Sequence, residues 1–153
     1  MSEEWLPDEA ATAALGTALA PLLRPGDVIA LSGDLGAGKT TLARGILTAL
    51  GLEEEAPSPS FAIVQPYEPP EVRLPVWHVD LYRLDNADDA EELGLEEARE
   101  YAVLLIEWPE RLGVSLWSDA LRLRLEIAEG GARRLTAEVP PAWEGRWPPD
   151  RSK

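Results

Sequence analysis

Apolar residues at helical spacing predict a helix near the start of the chain. Alanine and leucine recur at intervals of three and four between residues 11 and 22, which is the spacing of one helix face. Residues 6–9 are predicted to open this helix, because Asp8 and Glu9 suit the positive end of a helix dipole. Pro25 and Gly26 follow it and predict its end. We interpret this helix as a core-packing element, with a flanking contact to a nucleotide base as the alternative.

Short apolar runs bounded by turn residues predict strands. The runs at residues 27–31 and 103–107 are almost continuously apolar, as expected for strands that are buried on both faces. Further strands are predicted at residues 61–67 and 76–83, and a hairpin at residues 120–127 and 134–139 around Gly130 and Gly131. Strands that alternate with helices predict an α/β fold, parallel at the core of its sheet and antiparallel at the hairpin edge.

The segment between the first buried run and the next helix matches the phosphate-binding loop pattern G-x-x-x-x-G-K-[ST]. Residues 40–50 form the predicted helix after it, with Leu42, Ile46 and Leu47 on one face. Glycines let the backbone curl and turn several N–H groups toward an anion, and the helix N-terminus adds its positive dipole end. The predicted nucleotide-binding residues of this loop are Gly33, Asp34, Leu35, Gly36, Ala37, Gly38, Lys39, Thr40 and Thr41.

Residue types within this loop favour nucleotide binding over a simple glycine-rich turn. The chain has twelve arginines but only two lysines, Lys39 and Lys153, so its one interior lysine stands at the phosphate position. Lys39 would reach the β- and γ-phosphates, and the Thr40 hydroxyl would bind Mg²⁺. The usual guanine-reading signature needs a second interior lysine, so adenine is the expected base. These features predict a P-loop NTPase-like, three-layer α/β/α fold around a central mixed, mainly parallel sheet.

Two carboxylates at strand ends are candidate Mg²⁺ ligands. Glu107 ends the apolar run 103–107, in the pattern of a Walker B strand, and Asp80 lies near the end of the strand 76–83. The alternative for Glu107 is an ordinary core strand that happens to end in an acid. The only histidine, His78, is interpreted as a packed or hydrogen-bonded residue. Residues 57–61 are either a connecting loop or a switch whose Ser60 hydroxyl senses the γ-phosphate.

Composition limits the partners of the chain. Its net charge of −14 opposes direct binding to nucleic acid, because phosphate contacts need clustered lysine and arginine. The acidic start is wrong for a signal peptide, and the longest uncharged run, residues 10–23, is too short for a bilayer, so a cytoplasmic protein without a membrane partner is expected. Residues 88–100 carry seven carboxylates and predict a solvated helix or a docking surface for a basic partner. One domain is expected over residues 1–139, followed by an irregular or disordered Pro- and Trp-rich tail over residues 140–153.

Five motifs in order resemble the bacterial TsaE (YjeE) family. They are GDLGAGKTT at 33–41, SPSF at 58–61, HVDLYRL at 78–84, ELGLEE at 92–97 and IEWPER at 106–111. The set is highly specific, although the phosphate loop alone would not be, and it spans residues from about 6 to about 139. The family usually has threonine where this chain has Ser60, so the hydroxyl is kept.

The resemblance implies a small Mg²⁺-dependent ATPase needed for threonylcarbamoyladenosine at position 37 of tRNAs that read codons beginning with A. Its partners would be a TsaB–TsaD heterodimer, and it would bind ATP and Mg²⁺. It implies that Thr40 and Glu107 hold the ion, that Asp80 acts at the same centre and that Trp108 lies beside the nucleotide or the partner. Lys39, Asp80 and Glu107 are the catalytic candidates.

The resemblance does not fix the contacts to adenine, for which residues 6–9 and Arg134 are weak candidates. Two other classes of protein remain open at this stage. A small-molecule or nucleotide kinase would use the same loop, although no arginine-rich lid is evident in the sequence. A nucleotide-dependent binding module without meaningful catalysis is the third reading.

Overall fold

The computed structural model describes residues 2–34, 36–53, 64–82 and 92–149. Seven strands in these ranges form one sheet in the order β1-β7-β6-β2-β5-β4-β3. In chain order the elements are β1 (Ser2–Leu6), α1 (Glu9–Leu19), β2 (Val28–Ser32), α2 (Lys39–Ala49), β3 (Val64–Tyr67), β4 (Val76–Asp80), α3 (Leu95–Ala98), β5 (Val103–Glu107), β6 (Leu121–Ile127) and β7 (Arg133–Glu138).

The sheet is parallel in its centre and antiparallel at both edges. β6, β2, β5 and β4 form three parallel pairs, and β1, β7 and β3 add three antiparallel pairs. All five residues of β5 are buried, and the first four of β2 are buried as well. Full burial explains why these two strands read as continuous apolar runs rather than as alternating patterns. Their parallel pairing brings the carboxyl ends of β2, β5 and β4 to the same edge of the sheet.

Helices α1 and α2 pack closely on one face of the sheet. α1 begins at Asp8, whose side chain accepts a 2.8 Å hydrogen bond from the Ala11 N–H. A Cβ at Gly16 would collide with the Leu42 carbonyl oxygen, and one at Gly45 would collide with that of Ala13. Glycine at both positions therefore lets the backbones of α1 and α2 touch. This close contact positions α2 relative to α1 on that face of the sheet.

The opposite face of the sheet is covered less evenly. A second apolar cluster over β4 and β5 includes Leu95 and Ala98 of α3 and Leu112 of the 3₁₀ segment Pro109–Ser115. Over β6 the same face carries the exposed side chains of Arg122 and Arg124. The layering is thus α/β/α over the central strands, with one sheet face open beyond them.

Strand β1 was not predicted from the sequence. Residues 6–9 were expected to open the first helix, but Leu6 ends a strand that pairs with β7, and only Leu6 of its five residues is buried. A strand with a single buried, apolar inward position gives no alternating hydrophobic signal. β1 is one edge strand of the sheet and is joined to β7 by antiparallel hydrogen bonds.

The acidic helix expected over residues 88–100 is much shorter where the structure describes it. α3 holds only four residues, and Gly94 just before it has a positive φ of 72°. Residues 88–91 lie outside the described ranges. The low helix propensity of glycine and the thin apolar face of this segment account for the short helix.

The segment after β7 packs into the domain core. Trp143 has no exposed surface and belongs to the main apolar cluster, and Trp147 packs against the same cluster. Arg146 bonds both carboxylate oxygens of Asp27 at 2.7 and 3.1 Å and the Leu22 carbonyl at 3.0 Å. Residues 141–149 are irregular apart from one 3₁₀ turn, and the buried Trp143 packs them against the core.

β3 is the other edge strand of the sheet. It has four residues, and its Pro66 is exposed and stands opposite Trp77 of β4. Proline within a sheet is confined to such edges, because it has no N–H to donate. Within the described ranges, no helix combines the length and the apolar character needed to cross a membrane.

Candidate functional site

The loop between β2 and α2 crosses the edge of the sheet where the parallel strands end. Gly33 and Gly38 have φ values of 137° and 107°, and Gly38 is the N-cap residue of α2. Positive φ is the region that glycine reaches without steric cost, so these residues allow the sharp curl of the loop. A Cβ at Gly33 would also collide with the Leu125 carbonyl oxygen, so β6 packs directly against the loop.

The remaining positions of the predicted phosphate-binding loop lie between Gly33 and the first turn of α2. Gly36 is exposed and has a φ of 81°, while Ala37 is fully buried and donates its N–H to the Asp34 carbonyl at 3.0 Å. Thr41 lies half-buried in the first turn of α2. Leu35 is not among the described residues.

Lys39 is a buried cation at the start of α2. The residue is 4% exposed, and its ammonium donates a hydrogen bond to the Gly33 carbonyl. Lys39 Nζ also lies 3.6 Å from the centre of the Trp108 ring, within the range of a cation–π contact. No carboxylate of the described residues lies within ion-pair distance of this ammonium. Among the described residues, the charge therefore meets a carbonyl dipole and a π face rather than a counter-ion.

Burial of Lys39 lowers the pKa of its ammonium below the usual 10.5, although the carboxylates of Glu107, Glu110, Asp80 and Asp34 act in the opposite direction. Desolvation penalises the charged form, and the attraction of those carboxylates offsets this penalty only in part. An anionic ligand at the loop would supply the missing counter-charge. This is the electrostatic feature that best fits the residues to a bound phosphate chain.

Glu107 joins three elements at the edge of the sheet. It is the last residue of β5 and 3% exposed, and its Oε2 lies 2.7 Å from Nε2 of the fully buried His78. The Thr40 hydroxyl donates to the same carboxylate, at 3.2 Å from Oε2 and 3.4 Å from Oε1. With a carboxylate partner, His78 Nε2 carries the proton, while Nδ1 has no hydrogen-bond partner among the described residues.

Asp80 stands beside Glu107 on the neighbouring strand, because the two residues are register partners of β4 and β5. Its Oδ1 accepts a 2.9 Å hydrogen bond from the Tyr82 N–H. Burial raises the pKa of the Asp80 carboxyl above its usual 3.8, and the negative charge of Glu107 adds to that rise. The two carboxylates thus crowd one another in a partly dry setting, which a divalent cation would relieve.

Trp108 follows Glu107 with a backbone conformation that is rare for its type. Its φ is 62°, and its N–H donates to the Leu31 carbonyl at 3.2 Å, which ties it to β2. The ring packs against Tyr82 with centroids 4.9 Å apart and a tilt of 49°. This turn aims the indole at Lys39 instead of letting it continue along the strand, and a strained conformation at such a place is typical of functional sites.

The donor set fits a hard divalent cation such as Mg²⁺. No group of three or more His, Cys, Asp and Glu side chains gathers into a complete metal cage in the part of the chain that the structure describes. Mg²⁺ ordinarily takes only one or two protein carboxylates and completes its shell with phosphate oxygens and water. Thr40 and Glu107 would hold the ion, and Asp80 adds a carboxylate alongside.

Several expectations from the sequence concern residues away from this centre. Ser60 and the candidate switch 57–61 lie outside the described residues. Arg134, a weak candidate for the adenine contact, is exposed on β7 opposite Trp5 and is not among the residues that bond the loop. Its neighbour Arg133 is the residue that reaches the loop, with bonds of 2.9 and 3.0 Å to the carbonyls of Ala37 and Gly36. No local motif marks Arg133, because the contact joins segments almost a hundred residues apart.

The chain matches the family model described as threonylcarbamoyl adenosine biosynthesis protein TsaE over residues 6–135. The tRNA threonylcarbamoyladenosine biosynthesis protein TsaE of Streptomyces coelicolor is 44% identical over 117 residues, which cover 76% of this chain and 79% of that protein. The protein of the same name from Bacillus subtilis is 37% identical over 126 residues, or 82% and 77% of the two chains.

A solved structure gives the same assignment at the level of fold. The crystal structure of Bacillus subtilis YdiB superposes with a TM-score of 0.72 at 31% identity, covering 89% of this chain and 83% of that one. This likeness confirms the predicted P-loop NTPase-like α/β fold.

Proposed function

Since the chain belongs to the TsaE family of tRNA threonylcarbamoyladenosine biosynthesis proteins, we propose that its part in that pathway is to bind and hydrolyse ATP with Mg²⁺. The observation that carries the proposal is the buried Lys39 ammonium at a glycine-rich loop, with no carboxylate of the described residues as its ion-pair partner. A buried cation without a counter-ion is costly, and a phosphate chain at the loop would compensate it.

Each residue of the site has a distinct part in this proposal. The loop N–H groups and the N-terminus of α2 receive the phosphates, and Lys39 turns from the Gly33 carbonyl toward them. Thr40 Oγ1 and the Glu107 carboxylate hold the ion, while His78 fixes the orientation of that carboxylate through Oε2. When bound, Mg²⁺ would neutralise charge that develops on the transferring phosphoryl group.

We further propose that hydrolysis serves a protein partnership, with a TsaB–TsaD pair as the partner. The isolated chain is not expected to bind tRNA at physiological salt, because its net charge is −14. ATP would favour the arrangement that binds the pair, and hydrolysis would release it. A nucleotide can shift such an equilibrium only through different affinities for the two states.

The test measures the affinity of the purified chain for a purified TsaB–TsaD pair with an ATP analogue, with ADP and without nucleotide, while ATPase is followed in parallel. We expect tightest binding with the ATP analogue, weaker binding with ADP, and a higher ATPase rate when the pair is present. Lys39→Met serves as the nucleotide-blind control. Equal affinity in all three states with no change in rate contradicts the proposal, and phosphate transfer to a small-molecule acceptor would instead support a kinase.

A further inference from the structure

Arg133 lies where the β6–β7 hairpin meets the phosphate-binding loop. It is the first residue of β7, stands opposite Ile127 of β6 and Leu6 of β1, and shares the sheet face with α2. The preceding turn at Gly130 and Gly131, which both have positive φ, brings the chain back at this point. The arginine side chain is thereby aimed at the outer side of the loop.

Every nitrogen of the Arg133 guanidinium donates to a backbone carbonyl. Nε bonds the Ala37 oxygen at 2.9 Å and Nη2 bonds the Gly36 oxygen at 3.0 Å. Nη1 bonds the oxygens of Gly131 and Ala132, both at 3.0 Å. The planar guanidinium presents its N–H groups in a fixed fork, so it can donate to two adjacent carbonyls at once. The ammonium of lysine has no such fixed pair of donors. No carboxylate of the described residues pairs with Arg133.

Holding these two carbonyls also sets the direction of the loop N–H groups. In a planar trans peptide the C=O and the following N–H point in opposite directions. The Ala37 carbonyl faces Arg133, so the Gly38 N–H points away from it, toward the inner side of the loop. The Gly36 carbonyl likewise fixes the Ala37 N–H, which is already bonded to the Asp34 oxygen at 3.0 Å. The positive charge outside the loop also draws the negative ends of these two carbonyls away from an anion inside.

We propose that Arg133 is a positioning residue that holds the phosphate-binding loop in its anion-binding conformation before any ligand arrives. Because it touches the loop only from outside, it acts through the backbone and not on the ligand. The inference rests on the proposed function for the identity of the ligand, but its contact with the loop can be tested without any ligand. It also makes the β6–β7 hairpin part of the site, since the same guanidinium bonds the carbonyls of that turn.

The first measurement is amide hydrogen exchange of the nucleotide-free protein. Arg133→Gln removes the fork, Arg133→Lys keeps the charge but not the paired geometry, and Arg134→Gln makes the same charge change on the adjacent exposed residue. We expect faster exchange in residues 33–39 for both Arg133 variants and wild-type exchange for Arg134→Gln, with α1 and β5 unchanged in all three.

The second measurement is ATP affinity by calorimetry, followed by steady-state ATPase. Loss of the two hydrogen bonds to the loop should raise Kd and KM roughly tenfold to thirtyfold. At saturating ATP, kcat should stay within about twofold of wild type, because ordering of the loop is completed on binding. A general loss of fold would lower the melting temperature and speed exchange throughout the core, without this split between KM and kcat.

The outcomes separate the two proposals. If Arg133→Gln matches Arg134→Gln in loop exchange, the positioning role is wrong, whatever the affinity for ATP. If Arg133→Lys behaves as wild type in both measurements, charge alone suffices and the paired geometry is refuted. If the wild-type protein fails to bind ATP while the exchange pattern appears as expected, the proposed function fails and the positioning role of Arg133 stands.

Discussion

The Lys39 ammonium lies over the face of the Trp108 indole, 3.6 Å from the ring centre. The same ammonium bonds the Gly33 carbonyl, so its position is defined by a loop carbonyl on one side and an aromatic face on the other. Trp108 holds that place through a positive φ and a bond from its N–H to β2. If an anion binds the Lys39 ammonium, the ammonium must leave at least one of these two contacts.

Tryptophan emission should therefore report nucleotide binding. We expect ATP to shift the emission of the wild-type protein, because the cation over the Trp108 ring moves toward the phosphates. Trp108→Phe should remove that shift although five other tryptophans remain. The measurement is a fluorescence titration with calorimetry in parallel. A shift of equal size in Trp108→Phe would show that the signal comes from elsewhere.

Replacement of Lys39 by methionine should separate binding from stability. Methionine keeps much of the buried volume but removes a charge that burial disfavours, so the fold should be as stable as wild type or more stable. ATP affinity should fall at least 100-fold, since the cation that meets the phosphates is gone. Thermal melting measures the stability of the variant, and calorimetry measures its affinity for ATP. Near-wild-type affinity would contradict the assignment of the loop.

Loss of an Mg²⁺ ligand should impair hydrolysis more than nucleotide binding. We expect Thr40→Ala and Glu107→Gln to lower kcat by roughly 10²-fold, equivalent to a few kcal/mol in the transition state. Thr48→Ala, an exposed threonine on the same helix, is the matched control and should match wild type. ATPase assays over a range of Mg²⁺ test this. Normal hydrolysis by Glu107→Gln would shift the metal role to Asp80.

Asp80 should make the stability of the metal-free protein depend on pH. Burial and the charge of Glu107 raise the pKa of Asp80 in the folded state, so the folded protein binds more protons than the unfolded chain between about pH 3.8 and the raised pKa. The free energy of unfolding then falls as pH rises through the raised pKa. Asp80→Asn has no carboxyl to ionise and does not lose this stability. In urea unfolding it should therefore be more stable than wild type at pH 7 and similar to it near pH 3. Added Mg²⁺ should reduce the difference in unfolding free energy between the two proteins. A difference that does not vary with pH would refute the explanation.

The segment after β7 should matter for stability. Trp143 is fully buried, and the Arg146 guanidinium lies 3.9 Å from its ring centre while pairing with Asp27. Trp143→Ala should cost roughly 3–5 kcal/mol in unfolding free energy, as deletions of buried aromatics do. Trp5→Ala is the matched control, because Trp5 is 55% exposed and should cost far less. Urea unfolding of both variants measures the loss of stability. Equally small losses in unfolding free energy would contradict the packing role of Trp143.

The sequence was most informative where burial and backbone geometry restrict the choice of residue. The strand 103–107 was predicted with its observed bounds, because a strand covered on both faces must be apolar throughout. The loop before α2 was recognisable because its curl needs glycine at positive φ. β1 was not predicted because only Leu6 of that edge strand is buried.

Long-range contacts were beyond sequence reasoning for a different physical reason. Arg133 acts on backbone carbonyls, which every residue has, so the loop carries no complementary side chain that would reveal the pair. The prolines after β7 predict irregular backbone, but they could not show that Trp143 fills the core. His78 was interpreted as a packed or hydrogen-bonded residue, and only the 2.7 Å contact in the folded structure shows that its partner is Glu107.

Pro66 has a consequence for how this sheet can be extended. Growth of a sheet by strand addition needs a continuous row of free N–H and C=O groups along the edge strand. Proline in the four-residue β3 removes a donor from a row that is already short. Another chain that approaches this edge cannot simply continue the ladder, so β3 resists self-templated polymerisation. A protein that binds here must recognise side chains, which makes contact at this edge selective for particular partners.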